Sequence, residues 1–198
     1  MDSFSDQFEK RNWAEVSAKI NSTTSKNIEM ALEGAGEGGL DDLAALLSPL
    51  ANKEYLEDMA QLANQLTMQR FGKAIRLFAP IYLSNECNNV CDYCGFSMGN
   101  DIARKTLSPA EILREIGILK KLQFDHVLLV TGESSQKVGV DYLYDSISVL
   151  NEYFSNVSME VQPLKSDEYS YLISAGLHAV LVYQETYEKK SYSKHHIV

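Results

Sequence analysis

The spacing of apolar residues changes at about Ala74, and a different kind of structure is predicted on each side of it. Before that point apolar side chains recur every three or four residues, which is the pattern of amphipathic helices. After it, short apolar runs alternate with longer stretches of helical period, which is typical of strands and helices in a parallel sheet. We therefore expect a helical N-terminal extension over residues 1–73 and a βα region over residues 74–198.

The first seventy residues are expected to be helical. Asn12 and Glu15 have the spacing of a capping box at the start of one helix. Ser25 is the expected N-cap of another helix, which ends at the glycines after Glu33. The longest helix is expected at about Lys53–Arg70, because apolar residues lie on one face of that stretch.

A glycine-rich segment from Gly34 to Gly39 fits the spacing G-x-G-x-x-G. The dinucleotide-binding fingerprint requires a strand before these glycines and a helix after them. Here a predicted helix precedes them, so the segment is expected to be a loop.

Four strand-like runs, separated by helices, follow Ala74. The predicted strands are 77–83, 126–130, 158–161 and 179–183, and the predicted helices are 109–122, 141–154 and 167–175. Four βα units in series predict an α/β fold with a parallel, TIM-like sheet, in which chemistry lies at the carboxyl ends of the strands. A complete barrel of this kind has about eight units. The βα region is therefore expected to be the N-terminal half of a truncated barrel.

Composition and charge narrow the class of protein. The chain is 45% hydrophobic and 23% charged, with a formal net charge of −9. An acidic protein is a poor candidate for phosphate contacts, so no nucleic-acid partner is expected. No apolar stretch approaches about 18 residues, and the N-terminus has no basic start followed by an apolar run. A cytoplasmic protein without a membrane partner or a signal peptide is therefore expected.

All three cysteines, Cys87, Cys91 and Cys94, follow the first predicted strand with the spacing C-x3-C-x2-C. Thiolates this close can bind one metal centre, and soft sulfur ligands favour iron–sulfur clusters, zinc or Cu(I). Fully ligated sites usually have four protein ligands, and this loop supplies three. Two interpretations stay open: a cluster whose fourth iron binds a small molecule, and a zinc site completed by a distant histidine or carboxylate. A disulfide framework is disfavoured, because all the cysteines lie in one loop.

Polar residues follow each of the other predicted strands. They are Thr131-Gly132-Glu133, Gln162 and Gln184-Glu185-Thr186. The carboxyl ends of parallel strands meet at one edge of a sheet, so these residues and the cysteine loop are expected to form one site.

The sequence around the cysteines resembles the radical S-adenosylmethionine (SAM) superfamily, whose signature places an aromatic residue directly before the third cysteine. Tyr93 occupies that position. The wider context resembles the 2-iminoacetate synthases, the tyrosine lyases of thiamine biosynthesis, from about Phe4 to the last residue. The segments that carry this resemblance are YLSN, CGFSM, RKTL, LLVTGE, EVQPL and YQETY.

The resemblance implies a [4Fe–4S] cluster held by Cys87, Cys91 and Cys94, with the fourth iron left for SAM. It also implies roles for five residues in cofactor binding. Tyr93 would lie against the adenine, Gly132 and Glu133 would contact the amino group of SAM, and Gln162 and Glu185 would reach the ribose or the substrate. Thr131 replaces the first glycine of the superfamily's Gly-Gly-Glu motif, as the tyrosine-lyase branch does.

The remaining charged residues and histidines near these motifs are expected to be structural or exposed to solvent. Arg104 and Lys105 are candidates to meet a carboxylate or phosphate, although charges in such loops are more often solvated. His126 is expected to be structural. His195 and His196 fall in the final stretch, where their surroundings are expected to be missing.

The implied reaction cleaves the Cα–Cβ bond of L-tyrosine to 2-iminoacetate (dehydroglycine) and 4-cresol, while SAM gives 5′-deoxyadenosine and methionine. A thiazole synthase and a flavodoxin or ferredoxin reductant are the implied partners. Residues that bind tyrosine are expected outside this chain, and no catalytic residue is assigned. Three alternatives stay open: a related lyase of the hydrogenase-maturation or tryptophan type, a zinc-stabilised module without catalysis, and an inactive fragment that binds the cluster.

Overall fold

The computed structural model describes residues 4–197. Within them the chain forms one unit that extends to Ile75 and a second unit that begins at Arg76. The first unit is helical: α1 (Phe4–Glu9), α2 (Trp13–Asn21), α3 (Ser25–Glu33), α4 (Leu40–Leu46), α5 (Pro49–Glu54) and α6 (Leu56–Phe71). In the part of the chain that the structure describes, no helix is both long and apolar enough to cross a membrane.

Side chains at the first turns explain where α2 and α3 begin. The Oδ1 of Asn12 accepts hydrogen bonds from two backbone N–H groups, at 3.2 and 3.3 Å, and its Nδ2 donates to Glu15, so the predicted cap is confirmed. The prediction of Ser25 as a cap is wrong by one residue. Thr24 is the N-cap of α3, because its hydroxyl accepts from the N–H of Asn27 while the Asn27 side chain accepts from the N–H of Thr24.

The helix predicted over Lys53–Arg70 is two helices, which meet at Tyr55. The first of them, α5, starts earlier than predicted. The hydroxyl of Ser48 accepts a hydrogen bond from Ala51 N–H at 3.1 Å, and Pro49 occupies the first helical position, where its missing N–H costs nothing. The Ser-Pro pair that follows α4 therefore begins the next helix.

The glycine-rich segment is a loop between α3 and α4, as predicted. Gly34 caps the end of α3, and Gly36 has a φ of +99°, a conformation that side chains disfavour. A helix, not a strand, comes before it. The core of this unit consists mainly of small residues packed around one isoleucine: Ile28, Ala31, Ala45 and Ala51.

The second unit is an α/β layer structure. Its elements are β1 (Phe78–Ser84), α7 (Pro109–Lys121), β2 (His126–Thr131), α8 (Val140–Asn151), β3 (Asn156–Glu160), α9 (Ser166–Ser174), β4 (Ala179–Val180) and α10 (Lys189–His195). The four strands are parallel and lie in the order β1-β2-β3-β4, which confirms the predicted fold class. β4 is shorter than the predicted 179–183, although the Leu181 N–H still donates to Met159 at 2.8 Å. The sequence pattern did not predict α10.

Alternation along the strands puts the helices on one face of the sheet. Ile81, Leu129 and Met159 share a row in the sheet, and all three are buried in the core that the helices complete. The next row, Tyr82, Val130 and Glu160, lies on the opposite face. Because the strands are parallel, their carboxyl ends lie together at one edge of the sheet.

Candidate metal centre

The cysteines lie in the long loop between β1 and α7, residues 85–108, which we call the cysteine loop. The loop leaves and re-enters the sheet at nearly the same place. Ser84 and Thr106 form an antiparallel bridge, and Leu107 N–H donates to the Leu83 carbonyl at 2.8 Å. The loop is therefore closed at its base by backbone pairing, directly above the carboxyl end of β1.

Cys87, Cys91 and Cys94 are free and partly buried. A turn joins the last two, because Cys94 N–H donates to the Cys91 carbonyl at 3.3 Å. Burial raises the pKa of the Cys91 thiol, and the negative charges of Cys94, Cys87, Glu133 and Glu185 raise it further. Glu133 follows β2 and Glu185 follows β4, so these two strand ends approach the cysteine loop. Within residues 4–197, however, no group of three or more His, Cys, Asp or Glu side chains is arranged to hold a metal ion.

Gly132, just after β2, permits the close approach of that strand end to the cysteine loop. A Cβ at this position would lie 2.3 Å from the Glu86 carbonyl oxygen and 3.0 Å from the Cβ of Cys87. The Gly132 N–H donates to the Ser84 carbonyl at 3.1 Å. Any larger residue here must displace the backbone beside the first cysteine.

Glu133 is joined to the cysteine loop through its backbone and its side chain. Its carbonyl accepts from Asn88 N–H at 2.9 Å, and its Oε2 accepts from Asn89 Nδ2 at 2.8 Å. Both asparagines lie between the first two cysteines. The carboxylate of Glu133 is therefore held beside the thiols while its side chain stays exposed.

Tyr93 is linked to residues near the end of the described chain. Its hydroxyl lies 2.6 Å from His196 Nε2, and His196 Nδ1 lies 3.0 Å from the carbonyl of Tyr192. The carbonyl can only accept, so Nδ1 carries the proton and Nε2 accepts from Tyr93. Glu185 Oε2 lies 3.7 Å from the same Nε2. Desolvation raises the pKa of Tyr93, and the nearby carboxylate of Glu185 raises it further.

The prediction that His195 and His196 lack surroundings is wrong. His196 pairs with Cys91 in an antiparallel bridge, and Ile197 N–H donates to the Val90 carbonyl at 2.9 Å. His195 Nδ1 lies 2.8 Å from Asp92 Oδ2. The segment that follows α10 therefore packs on the cysteine loop. Sequence reasoning missed it because α10 has no buried residue and hence no apolar stripe.

Gln162 and Thr131 each carry a buried side-chain oxygen that has no hydrogen-bond partner within residues 4–197. The Nε2 of Gln162 donates to the Val138 carbonyl at 2.9 Å, and not to the cysteine loop. Buried polar atoms normally have partners, and two such atoms at the ends of neighbouring strands fit a site that takes a polar ligand.

The suggestion that Arg104 meets a carboxylate or phosphate is wrong. Its guanidinium instead binds backbone carbonyls of the cysteine loop. Lys105 Nζ binds Glu111 Oε1 at 2.6 Å, at the start of α7. His126 is structural, as expected: its Nδ1 lies 2.7 Å from Asn156 Nδ2 on the adjacent strand.

Comparison with known proteins agrees with this arrangement. The family model of the radical SAM superfamily matches residues 81–197. The chain is 48% identical over 197 residues to the 2-iminoacetate synthase of Escherichia coli (strain K12) and 46% identical to that of Salmonella typhimurium (strain LT2). Each comparison covers the whole chain and 52% of the relative. The chain thus spans about half the length of the curated relatives it matches.

Solved structures show the same fold. HydG, a maturase of the [FeFe]-hydrogenase, matches with a TM-score of 0.86 and 26% identity, over 93% of this chain and 44% of HydG. Methylornithine synthase (PylB) matches with a TM-score of 0.68 and 26% identity, over 86% of this chain and 51% of PylB. The second unit is therefore part of a TIM-like radical SAM barrel. Members of the radical SAM superfamily use a [4Fe–4S] cluster and SAM. Because the family model matches residues 81–197, this chain belongs to that superfamily.

Proposed function

We propose that this chain carries the cluster and SAM region of a 2-iminoacetate synthase, a radical SAM lyase that cleaves L-tyrosine to 2-iminoacetate and 4-cresol. The observation that carries the proposal is the loop of three free cysteines against which Gly132 and Glu133 are packed. The 46–48% identity to two 2-iminoacetate synthases supports the choice of substrate. On this proposal the helical region 1–73 is an N-terminal extension, and residues 74–198 carry the site.

Cys87, Cys91 and Cys94 are the proposed ligands of three irons. The donor set fits by its chemistry, because three free thiols lie on one loop and soft sulfur ligands favour iron–sulfur clusters. With three protein ligands, such a cluster would leave one iron open to SAM. When bound and reduced, the cluster supplies the electron that cleaves SAM to methionine and a 5′-deoxyadenosyl group.

The other residues bind and orient SAM. Glu133, which Asn89 holds beside the cysteine loop, would accept hydrogen bonds from the amino group of SAM. Gly132 leaves the space that this approach needs. Tyr93 lies against the adenine, and Gln162 and Glu185 accept from ribose hydroxyls or from the substrate. The unpartnered Oε1 of Gln162 supports the last of these roles.

The proposed partners follow from the product. 2-Iminoacetate is a reactive precursor of the thiazole ring of thiamine, so a thiazole synthase is the proposed recipient. A flavodoxin or a ferredoxin is the proposed source of the electron. Free thiols and a reducible cluster require a reducing compartment, and we propose a cytoplasmic location.

The test is anaerobic reconstitution of the chain with iron and sulfide, followed by electron paramagnetic resonance (EPR) of the reduced protein with and without SAM. We expect a [4Fe–4S]+ signal that changes when SAM binds, and its loss in Cys91→Ser. Stoichiometric zinc without cluster absorbance would contradict the proposal and favour the zinc-stabilised module. Adding L-tyrosine and SAM to a full-length version, which carries the residues expected to bind tyrosine, then tests the substrate, because 4-cresol supports it and 5′-deoxyadenosine alone supports only the cofactor site.

A second candidate is a tyrosine lyase of the hydrogenase-maturation type. The observation that favours it is the TM-score of 0.86 to HydG, although the identity is only 26%. Both reactions start from the same cofactors, so cluster spectroscopy does not separate them. Identification of the small products formed from tyrosine does.

A further inference from the structure

Arg104 lies inside the cysteine loop and binds its backbone at four points. Nη1 donates to the carbonyls of Asn85 at 2.7 Å and Phe96 at 2.8 Å. Nη2 donates to the carbonyls of Ser97 at 2.7 Å and Asn100 at 3.3 Å. Both terminal nitrogens of the guanidinium therefore donate to main-chain oxygens, two for each nitrogen.

These four carbonyls flank the cysteines in the sequence. Asn85 precedes Cys87, and the other three acceptors follow Cys94. One side chain thus ties the two ends of the segment that contains all three thiols. Closing such a loop costs conformational entropy, and few apolar contacts are available here to offset it.

The geometry requires an arginine. Its planar guanidinium presents five N–H donors in a fixed fork, so one group reaches carbonyls on both sides. A lysine ammonium has the same charge but is a single point on a flexible stem. In the described range 4–197 no carboxylate pairs with Arg104, and its hydrogen bonds go to main-chain carbonyls.

We propose that Arg104 is a positioning residue that presets the cysteine loop for its cluster. It joins the two ends of the segment 85–100 before iron arrives. The effect of Arg104 on cluster binding rests on the proposed function of the cysteines. Its effect on the conformation of the metal-free loop does not. The two are therefore tested separately.

The first experiment measures hydrogen–deuterium exchange of peptides from residues 85–100 in the metal-free chain. The variants are Arg104→Lys, Arg104→Met and the control Lys105→Met, which removes a neighbouring charge that binds Glu111 at the start of α7. We expect exchange at least about tenfold faster in both Arg104 variants, because charged donors to partly buried acceptors are lost, and no change in the control. Unchanged exchange in Arg104→Met would overturn the proposal. Exchange in the core strand β2 reports whether each variant is folded.

The second experiment measures iron and sulfide per chain after reconstitution, and the EPR signal with and without SAM. We expect both Arg104 variants to hold less cluster and to give a broadened signal with a weaker response to SAM, while Lys105→Met matches the wild type. Full rescue by Arg104→Lys would overturn the proposal, since it would show that charge alone matters. Faster exchange with normal loading would also overturn it. If the wild type binds no cluster, the exchange measurement alone decides the role of Arg104, and stoichiometric zinc in the same sample means that the proposed function fails.

Discussion

The cysteine loop and the core beneath it are held together by different forces. The core between the sheet and α7–α9 consists of apolar side chains with almost no exposed surface: Leu83, Leu129, Leu143, Ile147, Leu150, Met159 and Leu172. The loop is held by directional hydrogen bonds from Arg104, Asn89 and backbone groups. Apolar burial is non-directional and spread over many contacts, whereas each polar contact in the loop fixes one position. Core changes should therefore cost stability, and loop changes should cost the geometry of the site.

The largest effect on stability is expected from the core. Ile147→Ala removes a fully buried side chain from α8 and should lower the free energy of unfolding by about 2–5 kcal/mol, because it leaves a cavity. Urea denaturation measures this. Ile173→Ala, at a site that is 61% exposed on α9, is the control and should change stability by less than about 0.5 kcal/mol. Iron per folded chain should be normal in both, and a loss in folded Ile147→Ala would show that the two regions are not separable.

Gly132→Ala tests the boundary between the two regions. The added methyl would lie 2.3 Å from the Glu86 carbonyl oxygen, so the backbone beside Cys87 must move. We expect a loss of about 1–3 kcal/mol in unfolding free energy together with reduced cluster content. Gly117→Ala is the matched control, because no atom lies within 4 Å of its added Cβ and it sits inside α7. That variant should gain up to about 1 kcal/mol. Normal cluster loading in Gly132→Ala would show that the loop tolerates displacement.

Asn89→Ala should affect binding more than stability. It removes the 2.8 Å hydrogen bond to Glu133 Oε2 and leaves the carboxylate free to rotate away from the thiols. We expect about tenfold more SAM to be needed for the EPR change, at nearly unchanged unfolding free energy. Asn88→Ala is the control, because Asn88 binds Glu133 through its backbone N–H, which alanine keeps. Equal SAM dependence in the two variants would contradict the role given to Asn89.

The difference between the apolar core and the polar contacts of the loop also explains how much of the fold could be predicted from the sequence. Hydrophobic periodicity and capping residues are local, and they indicated α7, β1–β3 and the parallel order correctly. Errors arose where two adjacent residues can serve as the cap, as at Thr24 and Ser25, and where a strand continues only weakly, as in β4.

The candidate site was predictable in its parts but not in its connections. Cysteine spacing and polar strand ends identified the region, and the ligand roles of Cys87, Cys91 and Cys94 stay a prediction. The roles of Arg104 and His196 depend on contacts between segments, with backbone carbonyls and with Tyr93, that leave no periodic signal. An arginine that binds main-chain oxygens has no partner residue type that could be recognised in a sequence.

The smallest effect is expected at the exposed junction between the cysteine loop and α7. The ammonium of Lys105, at 2.6 Å, and the N–H and hydroxyl of Ser108, both at 2.8 Å, lower the pKa of Glu111 from its ordinary 4.5 to about 2. A carboxyl whose pKa is lower in the folded state stabilises the fold above its unfolded pKa, and this stabilisation is lost as protons bind. Glu111 should therefore stabilise the chain fully above about pH 4.5 and lose that contribution as the pH falls towards 2. Urea denaturation of the metal-free chain at pH 6 and pH 3 should show a smaller difference for Glu111→Gln than for the wild type. Glu115→Gln, which removes a carboxylate from the same helix, is the control. An unchanged difference in Glu111→Gln would mean that these contacts are too well solvated to affect folding.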